Sequence, residues 1–302
     1  MPWRWEQTSW RGIQADHPAH WELAWASGAD EPGRLTFADR YYHRLDLRWQ
    51  PLRFVPKLEL LLTKYRQGKK GEKVEILDLE PCPSPWQGVL RRSEEGEVVR
   101  AVRFFRDHRQ LVEATVVWPE PRDDQVEARI LASVGPQEAK SGCLLWQAMG
   151  ISLRLGQEFR LQQHSAKVGR IRWEFTAGRK KALRELFVER IALPEFWLDK
   201  PMREWLEKEL PSEYEPLRQE MVTIGRHRAE RLISSAKAGK LAFLRGVRQY
   251  RLDLGWLCPT ESRVYHVTYR VTSPDQDIAL PDTFELTCCR PLPVVRPEKG
   301  DT

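Results

Sequence analysis

The sequence predicts an α+β protein: two tandem copies of an antiparallel β-sheet with helices packed on it. Three observations lead there. Along much of the 302-residue chain, apolar residues alternate with polar ones over short runs, as strands with one buried face require. A few stretches instead space their apolar residues at i, i+3, i+4 and i+7, the stripe of an amphipathic helix. The pattern that opens the first half also returns in degenerate form from Phe159 onward.

The frame of each copy is the stretch from Trp21 to Trp49. Trp21, Leu23 and Trp25 alternate with Glu22 and Ala24, Leu35 and Phe37 with polar neighbours, and Leu45, Leu47 and Trp49 with Asp46 and Arg48. Between the first two strands, Ser27 to Gly33 contains two glycines and a proline, the composition of a loop. Lys57 to Gln67 reads as a helix with Leu58, Leu61, Leu62 and Tyr65 on one stripe. Val74–Leu79 and then Trp86–Arg91, Glu97–Arg106 and Gln110–Trp118 read as an antiparallel meander. Asp123 to Val134 closes the copy as a helix, with acidic residues at its positive end.

The segment Gly135–Gly142, GPQEAKSG, lacks any large apolar residue and reads as a linker. The echo follows. Phe159, Leu161 and Ser165 match Trp21, Leu23 and Ser27, and after a two-residue gap Gly169, Ile171 and Trp173 match Gly33, Leu35 and Phe37. Leu183–Leu193 is the third strand, Pro201–Leu210 the helix, and strands follow at Glu220–Ile224, Ala229–Ser235, Leu241–Arg251 and Arg263–Thr272. Pro281–Cys289 stands where the first copy has its closing helix. So long a period marks a domain duplication, since solenoid units run about 20 to 50 residues. The expected division is 1–135, a linker at 136–145, 146–290, and a flexible tail at 291–302.

The opening strand, the Gly-bearing hairpin to GRLTFAD or GRIRWEF, the third strand, helix, meander and closing helix together resemble the Mog1/PsbP-like α/β/α sandwich, here twice in tandem. That resemblance implies a non-enzymatic scaffold that binds other proteins. It carries no signature residue onto this chain.

Composition narrows the function. Hydrophobic residues make up 41% and there are 13 Trp, so a folded chain is expected. Nothing approaches the roughly 18 consecutive apolar residues of a membrane span, and the cytoplasm is the expected location. The tryptophans of the start, Trp3, Trp5 and Trp10, suit either an interaction arm or indoles packed on the domain. Five cysteines, Cys82, Cys143, Cys258, Cys288 and Cys289, are scattered without CxxC spacing, which suggests neither a disulfide framework nor a zinc site. His17 and His20 flank a proline and not a helix face, so no metal is expected there, and no cofactor motif occurs. Gly68–Gly71, GKKG, lacks the spacing of a P-loop. Neither GxSxG nor HExxH is present, and an enzyme is not expected, although His227 between Arg226 and Arg228 is a candidate base.

The clearest functional signal is charge. The net charge is +6, and Gly225–Arg251 alone holds eight Lys and Arg against Glu230. Arg226, His227, Arg228, Arg231, Arg245 and Arg248 are therefore the candidate binding residues. They would dock an acidic protein partner. The alternative is a nucleic acid, for which the stretch offers few aromatics for stacking.

Overall fold

Alternating sequence becomes strand almost everywhere, and more of it than the pattern alone assigned. The computed structural model describes residues 3–67, 73–178, 183–237, 248–273 and 278–289. The chain divides into two units, residues 1–149 with 154–157, and residues 150–153 with 158–302. The sequence-expected tail at 291–302 and the GKKG turn lie outside the described residues.

The first unit opens with strands β1 (Trp5–Trp10) and β2 (Ile13–Pro18), joined through Arg11 and Gly12, both at positive φ, as a tight hairpin demands. Trp10, Ile13 and Ala15 are fully buried. The Trp10 indole donates to the Ser27 carbonyl, and the Arg11 guanidinium donates to the carbonyls of Gly28, Ala29 and Glu31. The hairpin thus ties down the next loop. Strands β3 (Glu22–Ala26), β4 (Gly33–Ala38) and β5 (His43–Pro51) lead to helix α1 (Leu58–Arg66). Then come β6 (Glu75–Asp78), β7 (Gln87–Ser93), β8 (Gly96–Phe105), β9 (Gln110–Trp118) and helix α2 (Asp124–Ser133), capped where Asp123 accepts from the Val126 amide. Strands β10 (Gly135–Pro136) and β11 (Cys143–Ala148) join β2 and β1 in a smaller sheet. The large sheet is antiparallel, in the order β3-β4-β5-β9-β8-β7-β6.

Strand β12 (Ile151–Gly156) is divided between the units. The second unit continues with β13 (Arg160–Lys167), β14 (Arg170–Ala177), β15 (Arg184–Ala192), helices α3 (Pro194–Trp197) and α4 (Met202–Glu209), β16 (Tyr214–Ile224), β17 (His227–Ala236), β18 (Arg248–Cys258), β19 (Arg263–Ser273) and β20 (Glu285–Thr287). Its large sheet runs β13-β14-β15-β19-β18-β17-β16, the same order as in the first unit.

The hairpins that open the two large sheets agree in register. Leu23 lies opposite Phe37 and Leu161 opposite Phe175, and each first strand is bulged at the next step. Leu35 then faces Leu47 as Trp173 faces Val188. Equivalence by register is therefore Gly33 with Ile171, Leu35 with Trp173 and Phe37 with Phe175. The two-residue gap that aligned Gly33 with Gly169 is not needed. Gly33 is required where it stands, because a Cβ there would meet the Trp49 indole at 2.1 Å.

The α+β expectation is overturned. The described residues form twenty strands and four helices, α3 being four residues long, so the protein is β-rich. Three segments account for the difference. The Trp-rich start is a hairpin, GPQEAKSG leads from a strand pair into β11, and Pro281–Cys289 forms a turn and β20 instead of a closing helix. In that last segment Leu286 and Cys288 are buried while Glu285 and Thr287 are exposed, a period of two that no helix face supports. Among the described residues, no helix is long and apolar enough to cross a membrane.

Candidate functional site

The basic stretch does not form one uniformly charged face. Arg251 is buried and donates through two nitrogens to Asp253. Arg231 pairs with Glu220 at 3.1 Å and donates to the Ile278 carbonyl. Arg226, in the β16–β17 turn, and Arg228 are exposed, and neither makes an ion pair among the described residues. Arg248 is exposed at the start of β18, and Arg245 lies outside the described residues. Arg226 and Arg228 thus carry guanidiniums without an ion pair among the described residues at the end of one hairpin, with the Arg228 Nε donating to the Met221 Sδ at 3.1 Å.

His227, between them, points the other way. Strand alternation turns its side chain inward, where it is 9% exposed. Its Nε2 lies 3.0 Å from the Cys289 Sγ. Cys289 Sγ is in turn 3.3 Å from Cys258 Sγ and 3.9 Å from Cys288 Sγ. All four ligand atoms lie within 4.8 Å of one another. Burial and the Cys289 contact push the Cys258 thiol up to about 12, against a backbone amide of Glu261 that favours the thiolate. Burial also raises the Cys288 thiol, with the Trp256 indole opposing it. Sequence spacing hid this cluster because its members come from the start of β17, the end of β18 and the segment after β20.

Beside the hairpin end lies a cavity of about 430 Å³ bordered by Thr223, Arg226, His227, Leu280, Phe284 and Leu286. Glu285 borders it as well, so the rim carries both signs. The first unit has a groove of about 380 Å³ in which Trp25, Pro32 and Trp49 adjoin Arg34, Arg48 and Glu113.

A second polar cluster sits deeper in the same unit. His266 is 3.1 Å from Glu189 and 2.9 Å from Asp253, and Thr268 donates to Asp253. Arg170 caps Glu189 through two nitrogens, and the Trp205 ring meets His266 edge-on at 5.2 Å. Burial pushes both carboxyls up, but hydrogen bonds from His266 and from Arg251 or Arg170 outweigh it and hold Asp253 and Glu189 at about 2. Burial lowers His266, and its two carboxylate partners more than reverse that. At exposures of 2–4% for all three residues, this cluster reaches no substrate and acts as an ionic core.

No family model and no curated protein matches the chain. Among solved structures it is similar over 88% of its length to 86% of a chain in the Tle4–Tli4 complex, at 12% identity and a TM-score of 0.36. It is also similar over 90% of its length to 89% of the T6SS immunity protein TplEi from Pseudomonas aeruginosa bound to an "L" peptide, at 12% identity and a TM-score of 0.35. The apo form of TplEi gives the same identity and TM-score. At these TM-scores the likenesses assign no function.

Proposed function

We propose that the protein is a non-catalytic interaction module whose second unit binds an acidic segment of a partner protein at the end of the β16–β17 hairpin. The observation that carries this reading is that Arg226 and Arg228 are exposed and make no ion pair among the described residues, while their neighbours Arg231 and Arg251 are ion-paired. Two exposed arginines on one hairpin end suit a short carboxylate cluster, and Arg binds such groups in bidentate fashion. The cavity beside them, with Leu280, Phe284 and Leu286, offers an apolar anchor next to the charge, the composition of a binding hot spot. The partner segment is therefore one in which Asp or Glu residues adjoin a large apolar side chain, with its carboxylates on the arginine side of the rim.

A nucleic acid is the less suited ligand. Phosphate binding gains from several cations in a row, and ion pairing removes Arg231 and Arg251 from such a row. Fluorescence anisotropy with a labelled oligo-glutamate peptide carrying one Phe tests the reading. Binding should weaken with salt and fall by about tenfold or more in R226E/R228E, chiefly through the association rate. Equal binding by the variant would sink the proposal, and tighter binding of duplex DNA than of the peptide would favour the alternative.

A further inference from the structure

The geometry points to a zinc site formed by His227, Cys258, Cys288 and Cys289. Three thiols and one imidazole are a known donor set of closed, four-coordinate zinc centres. With Zn–S near 2.3 Å, a tetrahedron places its sulfurs about 3.8 Å apart. Cys288 and Cys289, at 3.9 Å, already stand at that spacing. The 3.3 Å between Cys258 and Cys289 and the 3.0 Å between His227 and Cys289 must each open by about half an ångström. All four ligand atoms lie within 4.8 Å of one another, so the widest separation must close by up to about 1 Å; the four protein ligands then fill every tetrahedral position and leave none for substrate, so the site is structural.

The surroundings fit a thiolate centre. The Trp256 indole N–H is buried with no other hydrogen-bond partner and is directed at the Cys288 sulfur, as the Glu261 backbone amide is at the Cys258 sulfur. Donors aimed at metal-bound sulfur are the usual outer layer of such sites. Metal binding exchanges the thiol protons for the ion: one Zn²⁺ enters, up to three protons leave to solvent, and the imidazole binds through its neutral nitrogen. The resulting centre carries a net charge near −1, beside the cations of Arg226 and Arg228.

Comparison of the two units gives a further argument. By register, Cys258 opposite Arg263 takes the place that Phe105 holds opposite Gln110 in the first unit. Phe105 packs edge-on against the Trp86 ring at 6.5 Å, and a Cβ on Gly135 would meet its ring at 3.1 Å. One unit fills this corner with aromatic rings. The other places small, soft ligands there, and a metal ion fills the space that they leave. The metal tethers Cys288 and Cys289, which follow β20, to the start of β17 and the end of β18.

The site stands apart from the proposed docking function, because its test reads metal and not partner binding. The 302-residue chain, stripped with a chelator under reductant, is titrated with Co²⁺ as a spectroscopic probe and then with Zn²⁺. The expected result is one Co²⁺ per chain with intense visible bands of tetrahedral geometry and near-ultraviolet thiolate charge transfer, both abolished by one equivalent of Zn²⁺. C289S and H227A should weaken uptake at least tenfold, whereas C82S and C143S, at the remaining cysteines, should leave it unchanged. Zinc should also raise the melting temperature of the wild type, a readout that needs no variant. Absence of thiolate charge transfer in the reduced wild type would overturn the proposal. So would retention of the bands in C289S, or mass spectrometry showing that Cys258 and Cys289 form a disulfide that excludes metal in the protein as isolated.

Discussion

Helix α1 in the first unit and helix α4 in the second cover matching strands, β7 and β8 in one and β17 and β18 in the other, over charges of opposite sign. In the first unit Arg48 on β5 lies opposite Glu113 on β9, with Arg100 on β8 one step away. In the second, the register puts Glu189 on β15 opposite His266 on β19, with Asp253 on β18 one step away. Cation, anion, cation has become anion, imidazole, anion. Even Thr115 and Thr268 correspond, opposite Arg100 and Asp253. The helix supplies a polar aromatic in the first case, where the Tyr65 hydroxyl donates to Glu113, and an indole edge against His266 in the second. The topology is thus indifferent to polarity provided that each charge finds a partner. The units also differ in depth, since the Arg48 side chain is 59% exposed and that of Glu189 only 4%.

Depth sets the energetic ranking. Asp253→Ala leaves Arg251 and His266 buried without their shared carboxylate and should cost about 3–5 kcal/mol in urea unfolding, whereas Arg48→Ala should change stability by about 0–1 kcal/mol. Similar losses from both would break the comparison. Acid should separate the units next. Asp253 and Glu189, held at about 2 against about 4 in an unfolded chain, contribute stability that is full above about pH 4 and lost as the pH falls toward 2. His266, raised from its ordinary value, contributes fully below its unfolded value and loses that contribution as the pH rises through the folded one. Urea midpoints for the second unit should therefore drop between pH 4 and pH 2, and Asp253→Asn should flatten that dependence.

Two smaller effects sharpen the contrast. Gly33→Ala drives a Cβ into the Trp49 ring and should cost about 1–3 kcal/mol, although the second unit tolerates Ile171 at the matching position, opposite Arg190. Thermal denaturation of the variant measures this. Glu113→Gln keeps a hydrogen-bond acceptor for Tyr65 and loses the charge, for an expected loss of about 1 kcal/mol; a loss as large as that of Asp253→Ala would mean that the first unit's charges are as buried in effect as the second's.

Much of this frame was legible in the sequence, because periodicity reports which face is buried. Leu62 and Tyr65 of the predicted α1 stripe are buried, as are Val126, Ile130 and Leu131 in α2 and Leu206 in α4. The β1–β2 hairpin escaped notice because Thr8, Ser9 and Trp10 are buried in succession, which masks alternation. Pro281–Cys289 was assigned by analogy to the first copy and not by its own pattern, which has period two. Among the binding candidates, charge revealed where cations are but not which are already paired, and so Arg231 could not be told from Arg228. The Cys/His cluster was illegible for a different reason. Its contacts join residues 31 and 62 positions apart, a proximity created only by the order in which β17, β18 and the last described segment meet.

Strand β16 ends the second sheet, paired on one side to β17 alone. Its ladder slips between Pro216 and Arg218, and it carries the charges of Glu215, Arg218 and Glu220. A proline that offers no amide, a local kink and a run of charges make this margin a poor template for a foreign strand. The same irregularity that spoils the regularity of one hairpin thus guards a long, eleven-residue edge against polymerisation.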